Sequence, residues 1–319
     1  MDLVYMNKTK TDVGILQDYS FDMAFGEDEN DFELTVSSNN NVCAEDYFLY
    51  VEGTEYGGLI DALYVDTVQR EIKYKGRTWH GILNSKVIQP SAGDNYYIVS
   101  GDANTVLGTL ISRLSLGSLF NASSETSGFT LSNYQFQRYV LGYDGICDML
   151  RSVGAKLKME FKNGSVELSA VAIHDYQNDE LDSDHIGMKI EKIYNSVNHL
   201  VCLGQGELSA RTVVHLYCDS AGNVSTTQSI TGIDEVMAVY DYPNAESVND
   251  LTRDGTKKLQ EMNNSDAIDV DLDDAYEFDI GDIIHAEDVV TGISVSRRVI
   301  KKIITINSNV VNINYKVGE

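Results

Sequence analysis

Proline and paired cysteines are scarce in this chain of 319 residues. Only two prolines occur, Pro90 and Pro243, and neither starts a proline-rich linker. We therefore expect the modules of the chain to pack against one another. The four cysteines form no C-x-x-C pair, and we interpret them as reduced, buried thiols, although two of them could face each other on adjacent strands. They are Cys43, Cys147 and the possible pair Cys202 and Cys218.

Positive charge is also scarce, because 24 lysines and arginines stand against 49 acidic residues, for a formal net charge of −25. Such a chain repels nucleic acid, since duplex binding requires basic residues that replace counterions. We expect no sequence-specific nucleic-acid partner. The acidic surface favours solubility, and the alternative is a wall that DNA passes without sticking. Residues 266–288 contain no lysine or arginine, and residues 289–318 contain no acidic residue. This asymmetry would suit head-to-tail contacts between subunits, and a solvated face explains it equally well.

Long apolar segments are absent as well. No run of roughly 18 apolar residues occurs, so we expect no membrane span and no stable membrane insertion. The first residues lack the basic lead and apolar core of a signal peptide, which favours synthesis in the cytoplasm. Hydrophobic residues make up 43% of the chain, enough for packed interiors, and the length suggests two to four modules.

Strand periodicity dominates the first 100 residues. Phe32, Leu34 and Val36 alternate with polar residues, which is typical of a half-buried strand. Other apolar or alternating stretches, with glycines between some of them, lie at 47–51, 63–65, 71–75 and 78–83. Short strands separated by turns predict a small barrel or sandwich.

Helical spacing replaces this pattern after residue 100. The predicted helices run from a cap at Asp102 or Asn104 through Leu114, over about 143–153, and over about 245–262. Gly154 is a natural stop for the second helix, because glycine accepts the left-handed conformation found there. Residues 115–132 are rich in Ser, Gly, Asn and Thr and are predicted to form a loop, as is the acidic stretch 175–185.

Hairpins are predicted in the middle and at the end of the chain. Asn163-Gly164 separates two alternating runs and predicts a type I′ turn. Further strands are predicted at 199–203, 213–218, 224–230, 299–307 and 310–317, the last two joined about Ser308-Asn309.

These elements predict a mainly β fold with an α+β middle, in which two small β-barrel-like domains accompany helix and hairpin modules. The predicted domains are an N-terminal β-barrel-like domain (1–100), an α+β module with the Asn163-Gly164 hairpin (101–195), a hairpin plus helix that forms part of a second barrel (196–265) and a C-terminal barrel segment (266–319).

Catalytic motifs are missing from the sequence. It contains no G-x-S-x-G elbow, no H-E-x-x-H zinc motif, no P-loop and no G-x-G-x-x-G. Gly204-Gln205-Gly206 lacks the third glycine of a dinucleotide fingerprint and lies between strands. A carboxylate pair suited to glycosidase chemistry cannot be chosen among so many acids without geometry.

Three groups of side chains contain residue types that can bind a metal ion. His174, Asp175, Asp182, Asp184 and His185 offer zinc-type ligands, and Asp269, Asp271, Asp273 and Asp274 resemble the start of a calcium loop. His199 and His215 could approach each other on paired strands without an evident third ligand. A solvated acidic loop, an acidic rim and packed histidines are the favoured interpretations. Trp79, beside His80, is interpreted as a core or interface anchor. We predict no catalytic, cofactor or metal site.

Several segments together resemble a known family. They are YGGLID at 56–61, YKGRTWHGIL at 74–83, NHLVCLGQGEL at 198–208 with Arg211 and Leu216-Tyr217, YEFDIGD at 276–282 and YKVG at 315–318. With the missing chemistry and the β–α/β–β order, these segments are similar to the XkdQ/YqbQ-type baseplate hub proteins of PBSX-like defective prophages. The resemblance covers nearly the full length, and 198–208 is its most specific part.

The resemblance implies a non-enzymatic structural subunit of a phage tail or phage-tail-like particle. In such a particle it would be a homotrimer around the tail axis that joins the tail tube protein to the central spike, beside a LysM-type tail protein and baseplate wedge proteins. Its location would be the tail baseplate of the particle. The alternatives are a tail-associated cell-wall hydrolase, which would need a site such as the 174–185 loop, and a host- or carbohydrate-binding module, for which 19 tyrosines are available.

Overall fold

A computed structural model describes residues 2–176, 187–191, 196–245, 247–263, 267–271, 277–307 and 310–318, with only the backbone of 187–191, 267–271 and 286. The first strands are β1 Val4–Met6, β2 Asp12–Ile15, β3 Tyr19–Gly26, β4 Asp31–Ser37, β5 Phe48–Tyr50, β6 Gly57–Asp66 and β7 Glu71–Thr78. They are followed by α1 Trp79–Asn84, β8 Val87–Ile88, β9 Ile98–Asp102, α2 Ala103–Arg113, β10 Phe120–Ala122, β11 Thr130–Gln135, β12 Val140–Leu141, α3 Gly142–Arg151, β13 Ala155–Lys162 and β14 Ser165–Ala172.

The second half of the chain continues this mixture. Its elements are β15 Gly187–Glu191, β16 His199–Leu203, a 3₁₀ turn at Leu208–Ala210, β17 Val213–Cys218, β18 Val224–Ser225, a second 3₁₀ turn at Gly232–Asp234, β19 Met237–Asp241, α4 Val248–Asn263, β20 Ala267–Asp271, β21 Ile283–Glu287, β22 Ser294–Asn307 and β23 Val310–Gly318. The predicted fold class, mainly β with an α+β middle, is confirmed.

The two ends of the chain share one sheet of ten strands. Its order is β2-β1-β5-β6-β7-β4-β3-β22-β21, and β23 pairs with β22 as well. Strand β22 therefore lies between β3, where Lys302 is opposite Phe25, and β23, where Lys302 is opposite Tyr315. As ordered in the described residues, the sheet has free ends and does not close into a barrel, which corrects the expected barrel-like closure. The domain boundaries given above remain a prediction.

Alternation along the central strands explains how this sheet buries its core. Phe32, Leu34 and Val36 of β4 are all buried, as their spacing predicts, and they pack with Ile304 and Ile306 from β22. Because the two groups are about 270 positions apart in sequence, the core itself holds the chain ends together.

The middle of the chain confirms two predicted helices. Asp102 caps α2, since its carboxylate accepts hydrogen bonds from the backbone N–H groups of Asn104 and Thr105 at 3.0 and 3.4 Å. Helix α3 ends at Arg151, and Gly154 follows with a positive φ of 74°. The apolar faces of both helices belong to one core cluster with β13 and β14.

The predicted hairpin at Asn163-Gly164 is also confirmed. Strands β13 and β14 pair from Lys162 opposite Ser165 outward, and the two turn residues have φ of 50° and 77°. Positive φ at both central positions is the signature of the type I′ turn.

Three local predictions were wrong, and a fourth, the loop at 175–185, is almost entirely untested. Residues 78–83 form the end of β7 and then α1 rather than a strand, because the Thr78 side chain accepts from the Gly81 N–H at 3.2 Å and caps a helix. The 115–132 segment is not only loop, since it contains β10 and the start of β11. Strand β18 ends at Ser225, well before Ile230. The stretch 175–185 is described only at Asp175 and Tyr176.

The final predicted elements have a mixed outcome. Helix α4 begins three residues later than predicted, and β22 begins at Ser294 rather than Val299. The pairing of β22 with β23 is confirmed up to Asn307 opposite Val310, while Ser308 and Asn309 lie outside the described residues. Within the described ranges, none of the helices has the length and apolar content needed to cross a bilayer.

Candidate functional site

A small two-layer unit carries the first candidate surface. Strands β18, β17, β16 and β19 form a four-stranded sheet in that order, and α4 covers one of its faces. Leu200, Cys202 and Leu216 point toward this helix and are buried with Leu251 and Leu259. Alternation then directs the neighbouring side chains of β16 and β17 to the opposite face.

That opposite face, called here the open sheet face, is apolar and accessible. Its apolar residues are Val201, Leu203, Val213, Tyr217, Met237 and Val239, and the same registers place His199, His215 and Asp241 on it. The exposed fractions of Met237 and Val239 are 56% and 64%. Both belong to β19, which is also the edge strand of the sheet. An edge strand with exposed apolar side chains is a common site of protein association.

Two histidines stand at one end of the open sheet face. His199 Nε2 lies 2.8 Å from His215 Nδ1, and His199 Nδ1 lies 2.6 Å from Glu235 Oε1. The Glu235 carboxylate also accepts from the Gln228 amide at 2.8 Å. The predicted approach of the two histidines is therefore confirmed. They are engaged with each other and with one carboxylate, so the arrangement orders the sheet end without supplying a nucleophile.

A second accessible apolar surface is the tip of the β6–β7 hairpin. Leu63, Tyr64, Val65 and Val68 are all at least half exposed. Strand β5 pairs with β6 only at residues 57–59, so among the described residues one edge of the distal part of β6 has no strand partner. The hairpin tip is thus another surface suited to contact with a neighbouring protein.

The join between the chain ends contains a buried ion pair. Lys302, 1% exposed, donates to the Glu55 carboxylate at 3.0 Å, and His80 Nε2 lies 3.6 Å from the same carboxylate. Burial alone would raise the pKa of Glu55, but the charges and hydrogen bonds of Lys302 and His80 outweigh it and lower the pKa to about 2. The pKa of Lys302 is also subject to two opposing effects. Burial lowers it, and the Glu55 charge raises it above the ordinary value.

A second ionic contact joins the middle of the chain to its C-terminal part. Lys156, on β13, donates to Asp282 at 2.7 Å and to Asp279 at 2.8 Å. Asp282 is 1% exposed and also accepts from the His174 backbone N–H at 2.9 Å. These contacts fix where β13 meets the segment before β21.

The residues predicted as possible metal ligands are only partly described. His174 packs edge-on against Tyr176, and Asp175 pairs with His285 at 2.7 Å. Asp182, Asp184, His185, Asp273 and Asp274 lie outside the described residues, as do the side chains of Asp269 and Asp271. In the described part of the chain, no three His, Cys, Asp or Glu residues are arranged to hold a metal ion.

Trp79 is a core anchor, as predicted. It is fully buried and stacks on Phe161 with 5.5 Å between ring centroids, while His80 stacks on Phe25 at 4.3 Å. All four cysteines are free thiols, which the sequence also indicated. Burial raises the pKa of Cys43 and Cys147 to about 12, so these thiols stay protonated and unreactive.

Sequence reasoning missed the two ionic joins. Lys301-Lys302 interrupts the largely apolar stretch from Val299 to Ile306, and that interruption was the available signal. Burial of a lysine in a strand core requires a carboxylate partner, but the sequence gives no means of choosing Glu55 among 49 acids.

Comparison with known proteins shows similarity in fold. No protein-family model matches the chain, and no curated protein matches it in sequence. Solved structures do match. A tail protein from Neisseria meningitidis has a TM-score of 0.53 at 13% identity, covering 100% of this chain and 96% of its own. Prophage tail protein gp18 from Listeria monocytogenes has a TM-score of 0.51 at 12% identity, covering 100% and 95%.

A third solved structure resembles the chain more closely in shape. The 43 kDa tail protein of prophage MuSo2 from Shewanella oneidensis has a TM-score of 0.58 at 9% identity, covering 100% of this chain and 98% of its own. At such low identity these likenesses establish a shared fold. The fold is one that prophage tail proteins use from end to end.

Proposed function

We propose that this chain is a structural subunit of a phage tail or a phage-tail-like particle, and that its role there is assembly rather than catalysis. One observation carries the proposal. The fold matches three tail proteins over 100% of this chain and at least 95% of theirs, so the likeness is not confined to one module. The open sheet face and the hairpin tip give such a subunit two separate surfaces for neighbours.

The more specific proposal is a baseplate hub that joins the tail tube to the central spike as a homotrimer. The resemblance of residues 198–208 to the XkdQ/YqbQ-type hubs supports it, and this segment forms β16 beside the open sheet face. Its partners would be other copies of the chain, the tube protein, the spike protein, a LysM-type tail protein and baseplate wedge proteins. Its location would be the tail baseplate of a particle assembled in the bacterial cytoplasm.

The net charge of −25 fits a subunit near a channel. A strongly acidic wall repels DNA and leaves it free to slide, because the counterion release that drives duplex binding needs basic side chains. The same charge disfavours a nucleic-acid-binding role.

The experiment is an assembly assay with matched valine substitutions. Val239→Asp places a charge on the open sheet face, and Val290→Asp places the same charge on an exposed turn. Light scattering should give the wild-type chain and Val290→Asp three times the 35.4 kDa subunit mass, or both should enter particles reconstituted with tube and spike proteins. Val239→Asp should lower assembly at unchanged circular dichroism.

Two results would overturn different parts of the proposal. A chain that stays monomeric and never enters the particles would overturn the structural role. Assembly that is equally insensitive to both substitutions would exclude the open sheet face as the contact while leaving the structural role in place.

A further inference from the structure

A cavity of about 560 Å³ lies among α3, β13, β22 and the segment after β3. This volume is within the range of small-molecule sites in proteins. Its charged lining consists of four acids, Glu27, Asp28, Asp144 and Asp148, and three cations, Arg151, Lys156 and Arg298. The cavity is separate from the open sheet face and from the hairpin tip, so the assembly role does not account for it.

Arg298 is the unusual member of this lining. Its Nε atom is buried and donates to nothing in the part of the chain that the structure describes. A guanidinium is always charged, and its donors are almost always engaged when they are buried. Burial and the nearby positive charge of Arg151 both lower the pKa of Arg298, so the surroundings are unfavourable to its charge.

The other cations at the cavity already have carboxylate partners. Lys156 is held by Asp279 and Asp282, and Arg151 contacts Asp148 at 3.1 Å. Among the described residues Asp144 forms no ion pair with Arg298. Burial raises the pKa of Asp144, a hydrogen bond with Asn84 opposes this, and the charges of Asp148 and Asp28 raise it further. The acidic side chains of the wall thus raise the pKa of Asp144, and the Arg298 Nε–H has no acceptor among the described residues.

We propose that the cavity binds an oxyanion, a carboxylate or phosphate group, through Arg298 with Arg151 as the second cation. A guanidinium presents paired donors that match the two oxygens of a carboxylate or phosphate, and a bound anion would remove the repulsion between the two arginines. The anion has two possible sources, a free small molecule or an acidic side chain of a peptide. The site chemistry is the same for both.

The test is calorimetric titration of the full chain with two probes in buffers of equal ionic strength. One probe is inorganic phosphate and the other is a blocked Asp-Asp dipeptide, each up to ~10 mM, the weak-binding range. Saturable binding of phosphate alone assigns the site to a free anion, and binding of the dipeptide alone assigns it to a peptide carboxylate. Binding of both supports the shared chemistry.

Matched arginine variants locate the binding. Arg298→Gln should weaken it by on the order of 10- to 100-fold, because a hydrogen-bonded charge is lost. Arg151→Gln should weaken it less. Arg297→Gln is the control: it removes the same charge from the neighbouring position of β22, outside the cavity lining, and should change affinity by less than about 2-fold.

Two outcomes would overturn the proposal. One is the absence of saturable binding for both probes by the wild-type chain. The other is equal weakening by Arg297→Gln and Arg298→Gln, which would indicate general electrostatic attraction. If circular dichroism shows that Arg298→Gln does not fold, Arg298→Lys replaces it. The site would also be overturned if Arg298→Lys and Arg151→Gln both fold and both bind with unchanged affinity.

Discussion

Replacing Lys302 by methionine tests the buried join between the two ends of the chain. The substitution keeps the aliphatic volume and removes the ammonium that lies 3.0 Å from the Glu55 carboxylate. Glu55 then remains as a negative charge that is only 17% exposed, with the His80 imidazole 3.6 Å away. Removing one member of a buried ion pair typically costs about 3–5 kcal/mol, because the other charge stays desolvated and unpaired.

The pKa of Glu55 gives a second figure for the surroundings of the same carboxylate. Its fall from the usual 4.5 to about 2 is the net effect of burial, Lys302 and His80, and it corresponds to roughly 3 kcal/mol at about 1.36 kcal/mol for each pKa unit. The two figures agree, so Lys302→Met should lower the free energy of unfolding by about 3–5 kcal/mol. Lys75→Met is the matched control: Lys75 is 56% exposed and pairs with Glu33 at 2.8 Å, and its loss should cost less than about 1 kcal/mol.

Urea unfolding followed by tryptophan fluorescence is the assay. Trp79, the single tryptophan, is fully buried and precedes His80, so the signal comes from the region under test. A double-mutant cycle with Glu55→Gln isolates the pair, and its coupling should be about 2 kcal/mol. A cost for Lys302→Met within about 0.5 kcal/mol of Lys75→Met, or additive single costs in the cycle, would refute the reasoning.

Two further outcomes are expected. The folded-state pKa of Glu55 lies below its unfolded value, so the stabilisation by its charge is present above about pH 4.5 and is lost as the pH falls toward 2. The difference in free energy of unfolding between wild type and Glu55→Gln, measured with urea, should therefore narrow over that range. A constant difference would contradict the pairing. Gly76→Ala should destabilise the protein by about 1–3 kcal/mol, since the added Cβ would lie 1.9 Å from the Leu59 carbonyl oxygen. Gly108→Ala in α2 should stabilise it by about 0.5–1 kcal/mol, because the added Cβ would meet only Ala122 at 3.6 Å. Thermal melts measure both, and shifts of the same sign would contradict this reasoning.

Local sequence patterns predicted the parts of the fold that local forces determine. The apolar spacing of α2, its Asp102 cap and the Asn163-Gly164 turn each depend on residues within about four positions, and all are confirmed. Residues 78–83 were mistaken for a strand because a second apolar stretch there follows the alternating run 71–75 after Gly76-Arg77, as it would in a hairpin. The helix begins because the Thr78 side chain caps it, and the sequence of the preceding strand does not indicate this cap.

Non-local pairing could not be predicted in this way. No pattern within β22 identifies β3 as its neighbour, since the two paired strands are separated by more than 270 residues of sequence. The open sheet face shows the same limit. Val239 and Met237 look like ordinary strand residues in the sequence, and their exposure follows only from the position of β19 at the sheet edge with α4 on the other side.

The buried pair also explains how so long a strand keeps its register. Lys301 pairs with Glu29 and Lys302 with Glu55, so a slip of one residue in β22 in either direction would keep only one of the two ion pairs. The pairing of Lys302 opposite Phe25 and Tyr315 is therefore selected by charge as well as by packing. We therefore expect the double variant Lys302→Met/Glu55→Gln to recover part of the stability that Lys302→Met loses. The backbone amides of its strands β3, β22 and β23 should still exchange faster than those of the wild type. Hydrogen exchange at matched global stability measures this, with Lys75→Met as the reference variant. Exchange in these three strands that equals the reference would mean that apolar packing alone sets the register.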